Sequence, residues 1–335
     1  METRLPVGVL ILESFTNTKQ VKKTFIILII TSIIFFTIIS CETFVDINVP
    51  PIAQKPVLNC LFTENKTFSI TLGLSGQVND TSATLINNAE MLLYGNDLFI
   101  EQLQNKGNGI YVSVSKAQKG VMYSIKASIE GYETIQVSDS LPQMVSISNL
   151  HIKKKAIIDI YGGKYDQVSF NIHDSSGVNN FYETDVFKIA ENPHYGRGFV
   201  SPVIDTISLT FKERDIAYWL IDDPALTNEF ISGWNNSISF TDEIFDGKIY
   251  PLKLPIDNDY NLIEYHLLFN VGSKNYYLYK SRIEKHLFNQ GGFLFDELML
   301  IDGGNPVEMF SNIENGYGIF AGYLSQEILI TDIRE

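Results

Sequence analysis

Thr67-Phe68-Ser69-Ile70-Thr71-Leu72-Gly73-Leu74-Ser75 places Phe68, Ile70, Leu72 and Leu74 on one side and Thr67, Ser69, Thr71 and Gly73 on the other. Successive side chains of an extended chain point to opposite faces, so this period of two predicts a half-buried strand. Working outward, Tyr123, Ile125, Ala127 and Ile129 alternate in the same way with Ser124, Lys126 and Ser128, and Glu130-Gly131 supplies a turn. Ile110 to Val114 follows the turn-rich run Asn105-Lys106-Gly107-Asn108-Gly109, which predicts a hairpin. Val57–Phe62, Ala89–Tyr94 and Glu133–Val137 are further strand candidates. Short strands separated by Gly, Asn and Asp turns, with no helical stretch between them, predict an immunoglobulin-like β-sandwich over residues 56–148.

The second half, 149–335, reads as a larger β-domain. Val168, Phe170 and Ile172 alternate, as do Ile207, Leu209 and Phe211; Ile238 with Phe240, Leu262 to Val271, and Ile319 to Ile330 add further strands. One segment breaks the pattern. Lys274 to Asn289 spaces Tyr276, Tyr279, Ile283 and Leu287 by three and four, with Ser273 before it and Gly291-Gly292 after. That spacing predicts an amphipathic helix near 274–289, capped by Ser273 and covering an open face or end of the second domain. The expected fold class is therefore mainly β: an N-terminal immunoglobulin-like sandwich and a larger C-terminal β-sandwich or barrel-like domain with one helix.

Ahead of these domains lies a leader. Lys19, Lys22 and Lys23 precede the apolar run Thr24 to Ser40, which ends in Ile38-Ile39-Ser40-Cys41. An aliphatic residue three before a cysteine and a small residue directly before it form a bacterial lipobox. Cleavage is expected before Cys41, whose thiol would carry a diacylglyceryl group. The run is longer than a usual secretory core and shorter than a typical span, so the cysteine rather than the length favours a lipoprotein signal over 1–41. Met1 to Gln20, with Glu2 and Glu13, is long for an export signal, and a start near Val21 would give the ordinary opening VKKTFIILII. Residues 42–55, with Pro50-Pro51, read as a flexible tether.

Composition narrows the function classes. The 335 residues carry a formal charge of −14. Losing the leader, with its four cations and two carboxylates, takes that to about −16. Such a surface excludes a nucleic-acid partner, which demands clustered Lys and Arg, and leaves the membrane to be held by lipid rather than by charge. Beyond Cys41 the chain has only Cys60, set in the apolar run Val57 to Phe62, where a thiol acts as a small buried hydrophobe. The histidines His151, His173, His194, His266 and His286 show no metal-ligand spacing, and Asp257-Asn258-Asp259 lacks the glycine and terminal glutamate of a calcium loop. No nucleophile elbow, P-loop or dinucleotide fingerprint is present, so no cofactor, metal or catalytic residue is expected. Aromatics crowd Asn192 to Phe199 and Trp234-Asn235-Asn236, where they either serve an interface or simply follow the aromatic content of a β-protein, and the second reading is the expectation.

Pro306 to Tyr323, PVEMFSNIENGYGIFAGY, resembles the closing motif of a family of Bacteroidota lipoproteins of unknown function, DUF4249. Cys41-Glu42, the strand Pro56-Val57-Leu58-Asn59, Asp174 to Tyr182 (DSSGVNNFY) and the Tyr- and Lys-rich Asn275 to Lys285 match it more weakly, and together they cover the mature chain. The resemblance implies a two-part β-rich exported lipoprotein, often encoded beside TonB-dependent outer-membrane receptors, and it carries no catalytic residue across. With the lipobox, the expected location is the outer membrane, through lipid on Cys41. The expected function is a non-enzymatic accessory or binding component of a TonB-dependent transport system. The alternatives are a structural envelope lipoprotein without a small ligand and a polysaccharide-acting enzyme using two distant carboxylates. Asn312, Asn315, Gly316, Tyr317 and Gly318 form either an interface or a structural turn, with Asn315-Gly316 as its turn former and Gly316 expected at positive φ.

Overall fold

A computed structural model describes residues 53–76, 83–190, 201–204, 209–226, 237–257, 262–289 and 307–335, together with Phe25, Ile26, Leu28 and Ile29 of the leader. Cys41, the bulk of the expected tether, Asn192 to Phe199, and Trp234 to Asn236 lie outside the described residues. No helix among the described residues is long and apolar enough to cross a membrane.

The first eight strands are β1 (Pro56–Thr63), β2 (Thr67–Leu74), β3 (Glu90–Gly95), β4 (Leu98–Gln102), β5 (Gln104–Gly107), β6 (Ile110–Lys116), β7 (Met122–Ser128) and β8 (Ile135–Ser140). One sheet runs β1-β2-β6-β5 and the other β4-β3-β7-β8, which is the strand order of an immunoglobulin sandwich. The alternation of the quoted stretch decides its packing: Phe68, Ile70 and Leu72 are fully buried. Phe68 meets Phe62 at 5.1 Å and Tyr123 at 4.8 Å between ring centroids. Cys60 lies in the same core, and burial pushes its thiol up to about 12, so it is an inert hydrophobe.

The remaining elements are β9 (Ser146–Ile158), β10 (Lys164–His173), β11 (Phe181–Ala190), β12 (Ser201–Ile204), β13 (Leu209–Arg214), a 3-10 turn (Tyr218–Leu220), β14 (Ile238–Thr241), β15 (Ile249–Ile256), β16 (Leu262–Gly272), helix α1 (Lys274–Asn289), β17 (Tyr317–Leu329) and β18 (Ile333–Arg334). A sheet ordered β15-β10-β9-β18 faces the strands β14, β11 and β16 across a second core, where Tyr182 packs between Phe240 and Phe269 at 5.3 and 5.6 Å. No sheet among the described residues closes on itself, so the second part is a sandwich rather than a barrel.

The chain passes from one core to the other between Leu141 and Val145, and Met144 packs against both. The large sheet does not break there. β17 pairs antiparallel with β16 through its second half, Tyr323 to Leu329, and parallel with β1 through its first, Tyr317 to Tyr323. One sheet path thus runs β12-β13-β11-β16-β17-β1-β2-β6-β5. Segment 56–148 fills its core with Ile313, Phe320 and Leu324 from the far end of the chain. A parallel pairing between the first and last long strands is reached only through a crossover, and here the whole second part forms it.

Helix α1 spans the predicted residues and lies on the outer face of β11, β16 and β17. Tyr276 stacks on Tyr323 at 5.0 Å, and Tyr279 packs beside Ile319 and Ala321. Ser273 caps it: its Oγ accepts the Tyr276 N–H at 3.2 Å and donates to Asp139 Oδ2 at 2.5 Å. Asp139, on β8, also accepts the Gly322 N–H at 3.2 Å, so one carboxylate ties both sandwiches and the helix start together. Burial pushes the Asp139 carboxyl up, while the bonds from Ser273, Ser140 and Gly322 hold it down.

Ser273→Ala removes the cap and one donor to the ionised carboxylate, and is expected to cost about 1–2 kcal/mol. Because the folded carboxyl titrates above its unfolded value, stability falls as pH rises through the folded pKa. The loss on substitution should accordingly be larger at about pH 8 than at about pH 5. Urea denaturation at both pH values measures it, and a larger loss at the acid end would contradict this role for Asp139.

Candidate functional site

The C-terminal motif is built from a loop that imitates a strand. Asn312 Nδ2 donates to the Phe320 carbonyl at 2.8 Å, and its Oδ1 accepts the Phe320 N–H at 3.0 Å. The side-chain amide thus satisfies both backbone groups of one β17 residue, as a neighbouring strand would. Ile313 enters the first core, the Glu314 N–H bonds the Gln136 carbonyl, and Asn315 Nδ2 reaches the Thr134 carbonyl at 3.0 Å. The motif therefore stitches β17 to β1 and β8.

Positive φ falls on Asn315, at 60°, and on Gly318, at 112°; Gly316 is not in that region, contrary to the expectation for it. Asn tolerates the left-handed conformation, so it takes the turn itself. Gly316 is needed for space, since a Cβ there would sit 2.8 Å from the Pro56 carbonyl oxygen. Tyr317 is half-exposed, with Lys55 Nζ 5.2 Å from its ring centroid.

The DSSGVNNFY turn brings carboxylates together. Asp174, Asp242 and Asp246 each place one oxygen within 4.8 Å of the others. Asp174 Oδ1 accepts from Asn180 Nδ2 at 3.0 Å and from the Tyr182 hydroxyl, and Oδ2 accepts the Gly247 N–H at 2.7 Å. Asp242 Oδ2 accepts the Asn180 N–H at 2.8 Å, and Asp246 Oδ1 the Gly177 N–H at 2.9 Å. Burial pushes Asp242 up, and the neighbouring charge of Asp174 adds to the effect against the opposing bonds from Asn180. Oxygen ligands so placed could hold a hard cation, yet each also fastens one loop to the other. The sequence hid this group because Asp174 and Asp242 lie far apart in the chain. Of the weighed calcium triplet, Asp257 N–H bonds the Asp215 carbonyl, while Asn258 and Asp259 lie outside the described residues.

A second polar group fixes the helix. Glu183 on β11 is buried, and its Oε1 accepts from Lys280 Nζ at 2.8 Å and from the Ser237 hydroxyl. Its Oε2 accepts from Asn270 Nδ2 at 2.8 Å and from the Tyr276 hydroxyl. Burial alone would raise this carboxyl; the Lys280 charge and the donated bonds outweigh it and hold it below the ordinary range. Ser239 Oγ and Asn270 Oδ1, in the strands flanking Glu183, have no partner among the described residues.

These three constellations fall within the segment 42–328, which the profile of the family described as Domain of unknown function (DUF4249) matches. The chain belongs to the DUF4249 family. No curated protein matches it significantly. In this DUF4249 chain Asn312 engages β17, Gly316 and Gly318 lie against Pro56 and Leu58 of β1, and Asn315 bonds the Thr134 carbonyl just ahead of β8. Cys41, the expected lipidation site, lies outside the described residues, just before the family match begins.

Proposed function

We propose that this DUF4249 protein is an outer-membrane lipoprotein, anchored through Cys41, that acts as a non-enzymatic binding component of a TonB-dependent transport system. Location rests on the lipobox Ile38-Ile39-Ser40-Cys41 behind a basic and apolar leader. The observation that carries a binding role is the open edge of the first sandwich. β4 is the terminal strand of its sheet and leaves Leu98 and Phe99 73% and 59% exposed. Soluble proteins usually blunt such edges with charge or cover, because an unpaired strand recruits another chain. The opposite edge of that sheet, β8, is covered by the loop before β17. What supports the partner class is the resemblance, which implies relatives often encoded beside TonB-dependent receptors.

Radiolabelled palmitate tests the anchor: the wild-type chain is expected to take label and Cys41→Ala to lose it. Isolation of the tagged, lipidated protein from outer membranes should recover a TonB-dependent receptor in stoichiometric amount. Equal labelling of both chains would remove the location. Recovery of no receptor, with turnover of polysaccharides by the purified protein, would replace the binding role by an enzymatic one.

A further inference from the structure

The hairpin joining β9 to β10 ends in Ile158-Asp159-Ile160-Tyr161-Gly162-Gly163. Ile160 and Tyr161 are 90% and 91% exposed, Ile158 is 65% exposed, and Trp219 of the 3-10 turn is 54% exposed. Trp219 lies beside this hairpin, its ring edge-on to Tyr165 at 6.2 Å. Single exposed apolar residues need no explanation; three on one hairpin tip, with a fourth beside it, do.

The tip is also built to hold its shape. Asp159 Oδ1 accepts the N–H groups of Tyr161 and Gly163 at 2.8 and 2.7 Å, and Asp159 N–H donates to the Gly163 carbonyl at 2.9 Å. Tyr165 donates its hydroxyl to Asp159 Oδ2 at 3.2 Å, and Gly162 supplies a φ of 85°. The Gly163 and Tyr161 bonds hold the Asp159 carboxyl below its ordinary range. A fixed turn that presents two apolar side chains to water reduces the ordering cost of docking them. Lys153, Lys155 and Lys164 are exposed on the same hairpin, in a chain whose net charge is −14.

The geometry points to this tip as a docking knob for a protein partner, with Ile160 and Tyr161 entering an apolar pocket edged by carboxylates. This inference rests on the binding role proposed above and adds the tip to the β4 edge as a second contact surface. A bilayer would also accept aromatic, aliphatic and basic side chains, but the tip lies at the end of the described fold away from Pro56, where the chain enters it. The described chain enters the sandwich at Pro56, beside Tyr317. β17 then runs 13 residues to Leu329, about 43 Å at strand rise. Ile330 N–H bonds the Tyr265 carbonyl there, Lys154 lies over the Tyr265 ring, and β9 continues past that row to the tip. Residues 42–55 could span at most about 50 Å if fully extended. Bringing the tip to a bilayer that holds Cys41 would use up nearly all of that length.

The test uses the full, lipidated chain in the outer membranes of cells that make it, with photoreactive benzoylphenylalanine in place of Tyr161 or, separately, of Leu98. Crosslinking from position 161 to a β-barrel receptor is the expected result. Ile160→Ser combined with Tyr161→Ser should lower the recovered receptor by about tenfold or more while leaving the melting temperature unchanged, since both side chains are exposed. Crosslinks from position 161 to lipid alone would make the tip a membrane anchor and overturn the inference. Receptor captured from position 98 but not from 161 would overturn it while leaving the binding role intact. If neither position captures a receptor although Cys41 still takes palmitate, the binding role falls with it.

Discussion

Gly318→Ala is expected to destabilise the protein by about 4 kcal/mol or more, through the strand pairing that joins the two sandwiches. Gly318 has a φ of 112°, and a Cβ built on it would lie 2.0 Å from the Leu58 carbonyl oxygen and 2.9 Å from Asn59 Oδ1. The obstacle is mainly backbone, and it belongs to the strand opposite, since Leu58 is the register partner of Gly318. Relief requires β1 and β17 to separate, and their separation withdraws Phe320 from a cluster in which it meets Phe62 at 4.7 Å. Gly107→Ala isolates the conformational part: its φ of 84° is also positive, but nothing lies within 4 Å of the added atom. That control should cost about 1 kcal/mol. Urea denaturation of both variants decides the matter. A Gly318 variant as stable as the Gly107 variant would mean that the β1–β17 pairing can yield at little cost, and that the closing motif is not a structural clasp.

The difference between Gly316 and Gly318 marks how far the sequence could be read. Asn-Gly is a turn signal, and a turn is there, but the pair does not say which residue turns left-handed; the contacts with Pro56 and Leu58 decide it, and they come from the other end of the chain. Strands with one wet face were legible, β2 and β7 above all, because alternation reports half burial directly. Helix α1 was legible down to its cap. β11 was not recognised, since a strand carrying Glu183, Asp185 and Lys188 in its middle looks like a loop until Lys280 and Asp215 arrive to satisfy two of those charges. β15 was masked by Pro251 and Pro255, which a sheet admits here because β15 is an edge. In β9 the left-handed residues Asn149 and Lys155 break the period of two. The open edge β4 and the β9–β10 tip escaped for a simpler reason: exposure is a property of the assembled sandwich, and Leu98 or Tyr161 reads as core in the linear chain.

Lys188→Met is expected to cost about 3–5 kcal/mol at about pH 8, or roughly 8 °C in Tm for a unit of this size, and about 1–2 kcal/mol less at about pH 5. Lys188 lies on β11 with its Nζ 2.9 Å from Asp215 Oδ1, and both side chains are buried. Methionine keeps the length and apolar stem of lysine, so the change removes charge more than volume. Burial pushes the Asp215 carboxyl up to about 7; Lys188 opposes this, and the charge of Asp257 adds to it. A carboxyl whose folded pKa stands above its unfolded one binds more protons in the native state, so raising the pH from about 4 to about 7 lowers stability. Without Lys188 the folded value climbs further. The carboxylate must then either stay charged and unpaired in the core or take a proton whose cost grows with pH. The gap in Tm between wild type and variant should therefore stay nearly level up to about pH 7, where both native states hold the proton, and widen above it. A gap that stays constant from about pH 7 to about pH 9 would show that the pair contributes packing alone, and that the charge on Asp215 is met by another group when Lys188 is gone.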